Sequence, residues 1–176
     1  MTDGTVSSGA LPLVTPKPLT AENFAPYGDV ISIEAASDVR SINEGHTTRF
    51  HDLARLNLAQ EGGRPALSIF RSRPKPLPIE IAVMERHPLG SQAFFPLSGH
   101  PYLVVAANDQ PQNIDVFLAT PQQGINFHAN VWHHYSLALD GDSDFLVVDR
   151  EGPGVNLEEV RLAPEHRVLV SLSALS

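Results

Sequence analysis

Short apolar runs separated by turn residues dominate this chain. Segments 66–70, 79–84, 92–97, 102–106, 114–119, 135–139, 144–148 and 167–170 are rich in Val, Ile, Leu and Phe, which fit a pleated, half-buried surface. Turn residues punctuate them: Pro88-Leu89-Gly90, Ser98-Gly99, Asn108-Asp109, Asp140-Gly141-Asp142 and Gly152-Pro153-Gly154. Helical signals are few. Segment 19–24 reads as one short helix, with Thr20 as its N-cap and Asn23 three places on. Pro26 and Gly28 end it, and 30–33 follows as a strand. Segment 54–60 offers a second short helix. Pro74, Pro76 and Pro78 each lack a ladder donor, so that stretch is a loop or an edge approach. Many short strands at near-regular spacing predict an all-β sandwich or barrel.

Composition narrows the picture. The chain has 176 residues and 42% hydrophobic content, enough for one domain with its own core. We expect that domain over 17–176, with 1–16 as a flexible N-terminal extension. No cysteine is present, which excludes disulfides, thiolate nucleophiles and Cys-based zinc sites. The formal net charge is −8, which disfavours a phosphate backbone as partner. No apolar run approaches the roughly 20 residues that cross a bilayer. The first ten residues lack the charged start and apolar stretch of a secretory signal, so a cytoplasmic location is expected.

Candidate chemistry lies in the histidines, which titrate near neutrality and bind metals. One cluster is Glu85-Arg86-His87 before Pro88-Leu89-Gly90-Ser91-Gln92. The other is Gly124-Ile125-Asn126-Phe127-His128 before Ala129-Asn130-Val131-Trp132-His133-His134. Glu85 and His87 are two apart, so one strand points both to the same face. A tight turn separates His87 from Gln92, and a distant histidine such as His128 could complete a metal site. Imidazole, carboxylate and amide oxygen together suit nickel, manganese or iron. The spacing resembles the cupin motifs. Glu85 and His87 stand at the two first-motif histidine positions, Gln92 at the glutamate position, and Gly99 closes the motif. Gly124 and His128 fill the second motif. Two of the four ligand positions, Glu85 and Gln92, depart from the cupin pattern.

Longer phrases are more specific. Those at 24–31, 49–54, 85–94, 123–134 and 144–150 resemble the ureidoglycolate lyase family, with the likeness running from about 17 to 162. That resemblance implies a cupin-type double-stranded β-helix, a jelly-roll barrel. It also implies cleavage of (S)-ureidoglycolate to glyoxylate and urea in allantoin breakdown, a cytoplasmic homodimer, and an association with nickel.

The reaction is a carbinolamine collapse that consumes no water. It needs a base for the hydroxyl proton and an acid for the departing nitrogen. His87 or His128 suits the base, and Glu85 or His133 the acid. Arg49 or Arg150 could pair the substrate carboxylate, with Gln92 beside it. Alternatively a metal held by Glu85, His87, Gln92 and His128 chelates carboxylate and hydroxyl. Bland readings stand beside these. His87 could cap a hairpin, Gln92 could bond only the turn, and the two arginines could belong to structural ion pairs. Trp132 reads as core, His51 and Asp52 as a local network, and His46, His100 and His166 as solvated. His133 and His134 are adjacent and face opposite ways on a strand, so His133 is expected in the pocket and His134 elsewhere. Rival functions are an amidohydrolase on the same substrate, releasing ammonia, and a non-catalytic ligand-binding cupin.

Overall fold

A computed structural model describes residues 10–172. Its strands are, in chain order, β1 Leu13–Val14, β2 Lys17–Pro18, β3 Gly28–Ile31, β4 Asp38–Ile42, β5 Thr47–His51, β6 Arg64–Ser72, β7 Ile79–Ile81, β8 Val83–Arg86 and β9 Gln92–Pro96. They continue as β10 Tyr102–Ala107, β11 Ile114–Ala119, β12 Gly124–Phe127, β13 Trp132–His133, β14 Leu137–Ala138, β15 Ser143–Glu151, β16 Glu158–Arg161 and β17 Val168–Val170. One α-helix, α1, covers Ala21–Phe24, and the Thr20 hydroxyl caps it by accepting from the Asn23 amide at 3.1 Å.

The strands form two large facing sheets. One has the order β16-β8-β13-β10-β11-β2, with β14 also paired to β10; the other is β3-β12-β9-β15-β6. Side-chain alternation assigns the residues of β10 to two cores. Tyr102, Val104 and Ala106 face the barrel interior with Phe94, Phe117, Ile125, Phe127, Phe145 and Val147. Leu103, Val105 and Ala107 face outwards, onto a second core with Ile79, Ile81, Met84 and Val170. A short third sheet, β1-β17-β7, covers that second core. Few helices and two facing β layers meet the expectation of an all-β jelly-roll barrel.

Three expectations need correction. Segment 54–60 forms no helix; a short 3-10 turn begins only at Gln60. The expected strand over 79–84 is two, because the chain leaves β7 at Ala82 and restarts as β8 in another sheet. Residues 1–9 of the expected flexible extension lie outside the described residues. Leu13 and Val14 of the same extension are drawn into the fold, pairing in parallel with Leu169 and Val170. The hairpin β4–β5 was not anticipated. Among the described residues its two strands pair only with each other, and Val39 and Ile42 on it are exposed.

Candidate active site

The strands β8 and β13 build the candidate site. His133 pairs with Glu85 across the antiparallel ladder, and with Ala106 on the other side. Ala106 belongs to the interior core, so Glu85 and His133 face the barrel interior. His87, two residues beyond Glu85, shares that face. Ligand atoms of Glu85, His87 and His133 all lie within 4.8 Å of one another. The His87 and His133 ring centroids are 5.2 Å apart, and Phe127 stacks on His133 at 4.2 Å and 14°. An aromatic floor thus fixes the His133 ring plane.

Both imidazoles are held by one nitrogen only. His87 Nδ1 lies 2.6 Å from the Asn156 carbonyl oxygen, and His133 Nδ1 lies 2.9 Å from that of Val131. A carbonyl can only accept, so each Nδ1 carries a proton, and a ring with no second proton presents its lone pair at Nε2. Both Nε2 atoms are buried without a hydrogen-bond partner. His133 Nε2 lies 3.7 Å from a Glu85 carboxylate oxygen. Burial pushes the His133 pKa down to about 3, so its ring is neutral at ordinary pH. Burial likewise raises the Glu85 pKa, against the opposing pull of His87. Imidazoles with Nδ1 tied to a carbonyl and Nε2 free are the pattern of metal-bound histidine. Two imidazole nitrogens and a carboxylate therefore fit a borderline divalent metal such as nickel.

The remaining expected site residues are placed as follows. Gln92 faces the interior, opposite Phe127. Its Nε2 donates to Asp149 Oδ2 at 3.4 Å, and its Oε1 is buried without a partner. His128 does not join the cluster. Ile125 and Phe127 of β12 point inward, so Asn126 and His128 fall on the opposite face. There His128 Nε2 lies 3.1 Å from Asp29 Oδ2. The same oxygen accepts from Asn126 Nδ2 and the Arg55 amide, both at 3.0 Å. His133 occupies the ligand position that spacing suggested for His128. Gly28 lets β3 run close against β12: a Cβ there would sit 1.9 Å from the Asn126 carbonyl oxygen.

Neither arginine reaches the cluster by any contact in the structure. Arg150 is buried, and its guanidinium donates to the carbonyls of Gln60, Glu61 and Pro153 at 2.8, 3.4 and 2.8 Å. It therefore braces loops. Arg49 is exposed on the β4–β5 hairpin. Trp132 packs at the second core beneath the Arg86 guanidinium, 4.4 Å from the ring centroid. His134 is buried with its Nδ1 on the Tyr135 carbonyl. Asn156 was missed, because nothing in an isolated Val-Asn-Leu phrase announces that its carbonyl will meet a histidine 69 residues away.

A family model described as ureidoglycolate lyase matches residues 11–169. A ureidoglycolate lyase of Brucella anthropi is 54% identical over 146 residues, 81% of this chain and 86% of its own. Ureidoglycolate lyase 1 of Rhizobium meliloti is 52% identical over 146 residues, 81% of this chain and 85% of its own. Among solved structures, a 3,4-ketoisomerase from Helicobacter canadensis aligns at a TM-score of 0.42 and 14% identity, covering 85% of this chain and 98% of its own.

Proposed function

We infer that this chain, which belongs to the ureidoglycolate lyase family, cleaves ureidoglycolate to glyoxylate and urea at the Glu85–His87–His133 cluster. The observation that carries the assignment of the site is two unpartnered imidazole Nε2 atoms converging beside one carboxylate inside the barrel. Buried polar atoms without partners are uncommon, and three of them, His87 Nε2, His133 Nε2 and Gln92 Oε1, face the barrel interior, where an ion, a water or a substrate can meet them.

In the substrate, one carbon bears a hydroxyl, a carboxylate and the urea nitrogen. Removing the hydroxyl proton drives carbonyl formation, and the C–N electron pair leaves on nitrogen. Glu85 is the group suited to move this proton. Burial raises its pKa, which brings it closer to working pH. It takes the hydroxyl proton and returns it to the departing nitrogen, so that no water and no net proton are consumed. His133 stays unprotonated down to about pH 3 and is a poor acid. With His87 it serves as an acceptor pair; in the alternative in which Glu85 is a ligand and not the proton carrier, the two rings would be the nitrogen ligands of a metal completed by Glu85 and, from its free Oε1, Gln92. A bound divalent cation would supply Lewis acidity to the substrate oxygens and lower the hydroxyl pKa.

Nickel, a cytoplasmic location and a homodimer extend the same reading. The homodimer is supported by apolar side chains exposed on the five-stranded sheet and its rim, among them Ile33, Leu67, Ile69 and Leu97, which water disfavours on a monomer. Purified chain incubated with each ureidoglycolate enantiomer should release urea in step with glyoxylate. Dialysis against a chelator should abolish most turnover, and nickel should restore it. Ammonia released in place of urea, or no turnover of either enantiomer, overturns the reading.

A further inference from the structure

We propose that Asn156 is a positioning residue that fixes the tautomer and orientation of His87. The inference rests on the reading that the cluster binds a divalent metal through imidazole Nε2. Asn156 grips the turn after β8 at two points. Its main-chain carbonyl accepts from His87 Nδ1 at 2.6 Å, and its side-chain Oδ1 accepts from the Leu89 amide at 2.8 Å. The two bonds use different atoms of one residue and meet donors two residues apart. Together they close a clamp, which a single bond would leave free to pivot.

The clamp matters because of where Asn156 sits. Residues 152–157 form no strand or helix, and Val155 and Leu157 on either side of it are 77% and 53% exposed. The segment is tied at its start by the Arg150 bond to the Pro153 carbonyl, and at its end by pairing of Glu158 with Arg86. Between those ties the Asn156 side chain joins it to the His87 turn. Without Oδ1 the Asn156 carbonyl can drift. His87 is then free to exchange its proton between nitrogens, and an Nε2–H tautomer has no lone pair at the nitrogen that faces the cluster. His133 has no comparable dependence, because its Nδ1 partner, the Val131 carbonyl, is only two residues away. One histidine is thus held locally and the other from a remote segment. Partners of metal-bound histidine commonly set metal affinity by about 10–100-fold.

The experiment pairs nickel titration with nitrogen NMR on the metal-free full chain. Asn156→Ala should weaken Ni(II) binding by about 10–100-fold, while Asn156→Asp, which keeps an acceptor at Oδ1, stays within a few-fold of the unsubstituted chain. In the metal-free protein the His87 ring nitrogens should read as one Nδ1–H tautomer, and Asn156→Ala should convert them to a mixture. If Asn156→Ala does not fold, Asn156→Ser, with a shorter acceptor, takes its place in both measurements. Retention of a single Nδ1–H tautomer in the variant overturns the proposal whatever the metal result. Unchanged Ni(II) affinity in Asn156→Ala, where His87→Ala loses it, overturns it too. If the unsubstituted chain binds no Ni(II) yet the tautomer still shifts, the positioning role stands and the metal reading falls.

Discussion

Two histidine–carboxylate groups lie on different sheets, one inside the barrel and one on its outer side, and have opposite characters. Inside the barrel, His87 and His133 surrender Nδ1 to carbonyls and keep Nε2 bare beside Glu85. On the outer face, His128 commits Nε2 to Asp29, whose carboxylate is already engaged by Asn126 and the Arg55 amide. Those hydrogen bonds overcome the raising effect of burial and leave the Asp29 pKa below its ordinary value. The outer histidine and carboxylate are engaged with each other and organise the β3–β12 edge; both inner imidazoles keep a buried Nε2 without a partner. Residue type is the same in both. What separates them is which imidazole nitrogen is already occupied.

The sharpest way to break that contrast is to remove one histidine from each group. His87→Ala should lower kcat/KM for urea release by about a hundredfold or more, the scale of losing a group that handles protons or metal. His128→Ala should cost less than about tenfold, since general acid–base losses are larger. Equal losses would show the outer group to be part of the chemistry.

A smaller effect is expected from the outer carboxylate. Asp29→Ala leaves the Arg55 amide and His128 Nε2 without their acceptor and Asn126 Nδ2 with the Arg55 carbonyl alone. We expect a destabilisation of about 1–3 kcal/mol in urea unfolding, with the specific activity of the folded fraction kept. A variant as stable as the parent would remove Asp29 from its structural role.

Smaller still is the pH response of the buried rings. Burial lowers His133 to about 3 and His134 to about 4, from an ordinary 6.5. Between those values and 6.5 the unfolded chain binds protons that the folded chain refuses, so stability falls as pH drops through that window. The melting temperature should therefore decline from pH 7 to pH 4, and His134→Gln should flatten the decline. An unchanged slope in that variant would show that His134 is not among the causes.

Much of the fold was legible in the residues. The apolar runs at 102–106 and 114–119 became β10, which extends one residue further, and β11, and Thr20 capped α1 as its hydroxyl and the Asn23 spacing predict. The β4–β5 hairpin was not legible, because neither of its faces is buried and its sequence carries no apolar alternation. Strand β12 was overlooked, although Ile125 and Phe127 do alternate with Gly124 and Asn126. Reading that period of two would have turned Asn126 and His128 outward and left His133 as the interior histidine.

From the residues alone came an all-β chain, a Glu85–His87 pair on one strand face, and a family likeness strong enough to name a reaction. The first two depend on local periodicity and spacing, which a linear string carries; the reaction is what the likeness of longer phrases to a known family implies. Tertiary structure decided which distant histidine met that pair, which nitrogen each ring kept free, and that Arg150 braces loops. Each of these depends on strand register and on carbonyls contributed from far along the chain, and pairing across a sheet is settled only when the layers close on their shared core.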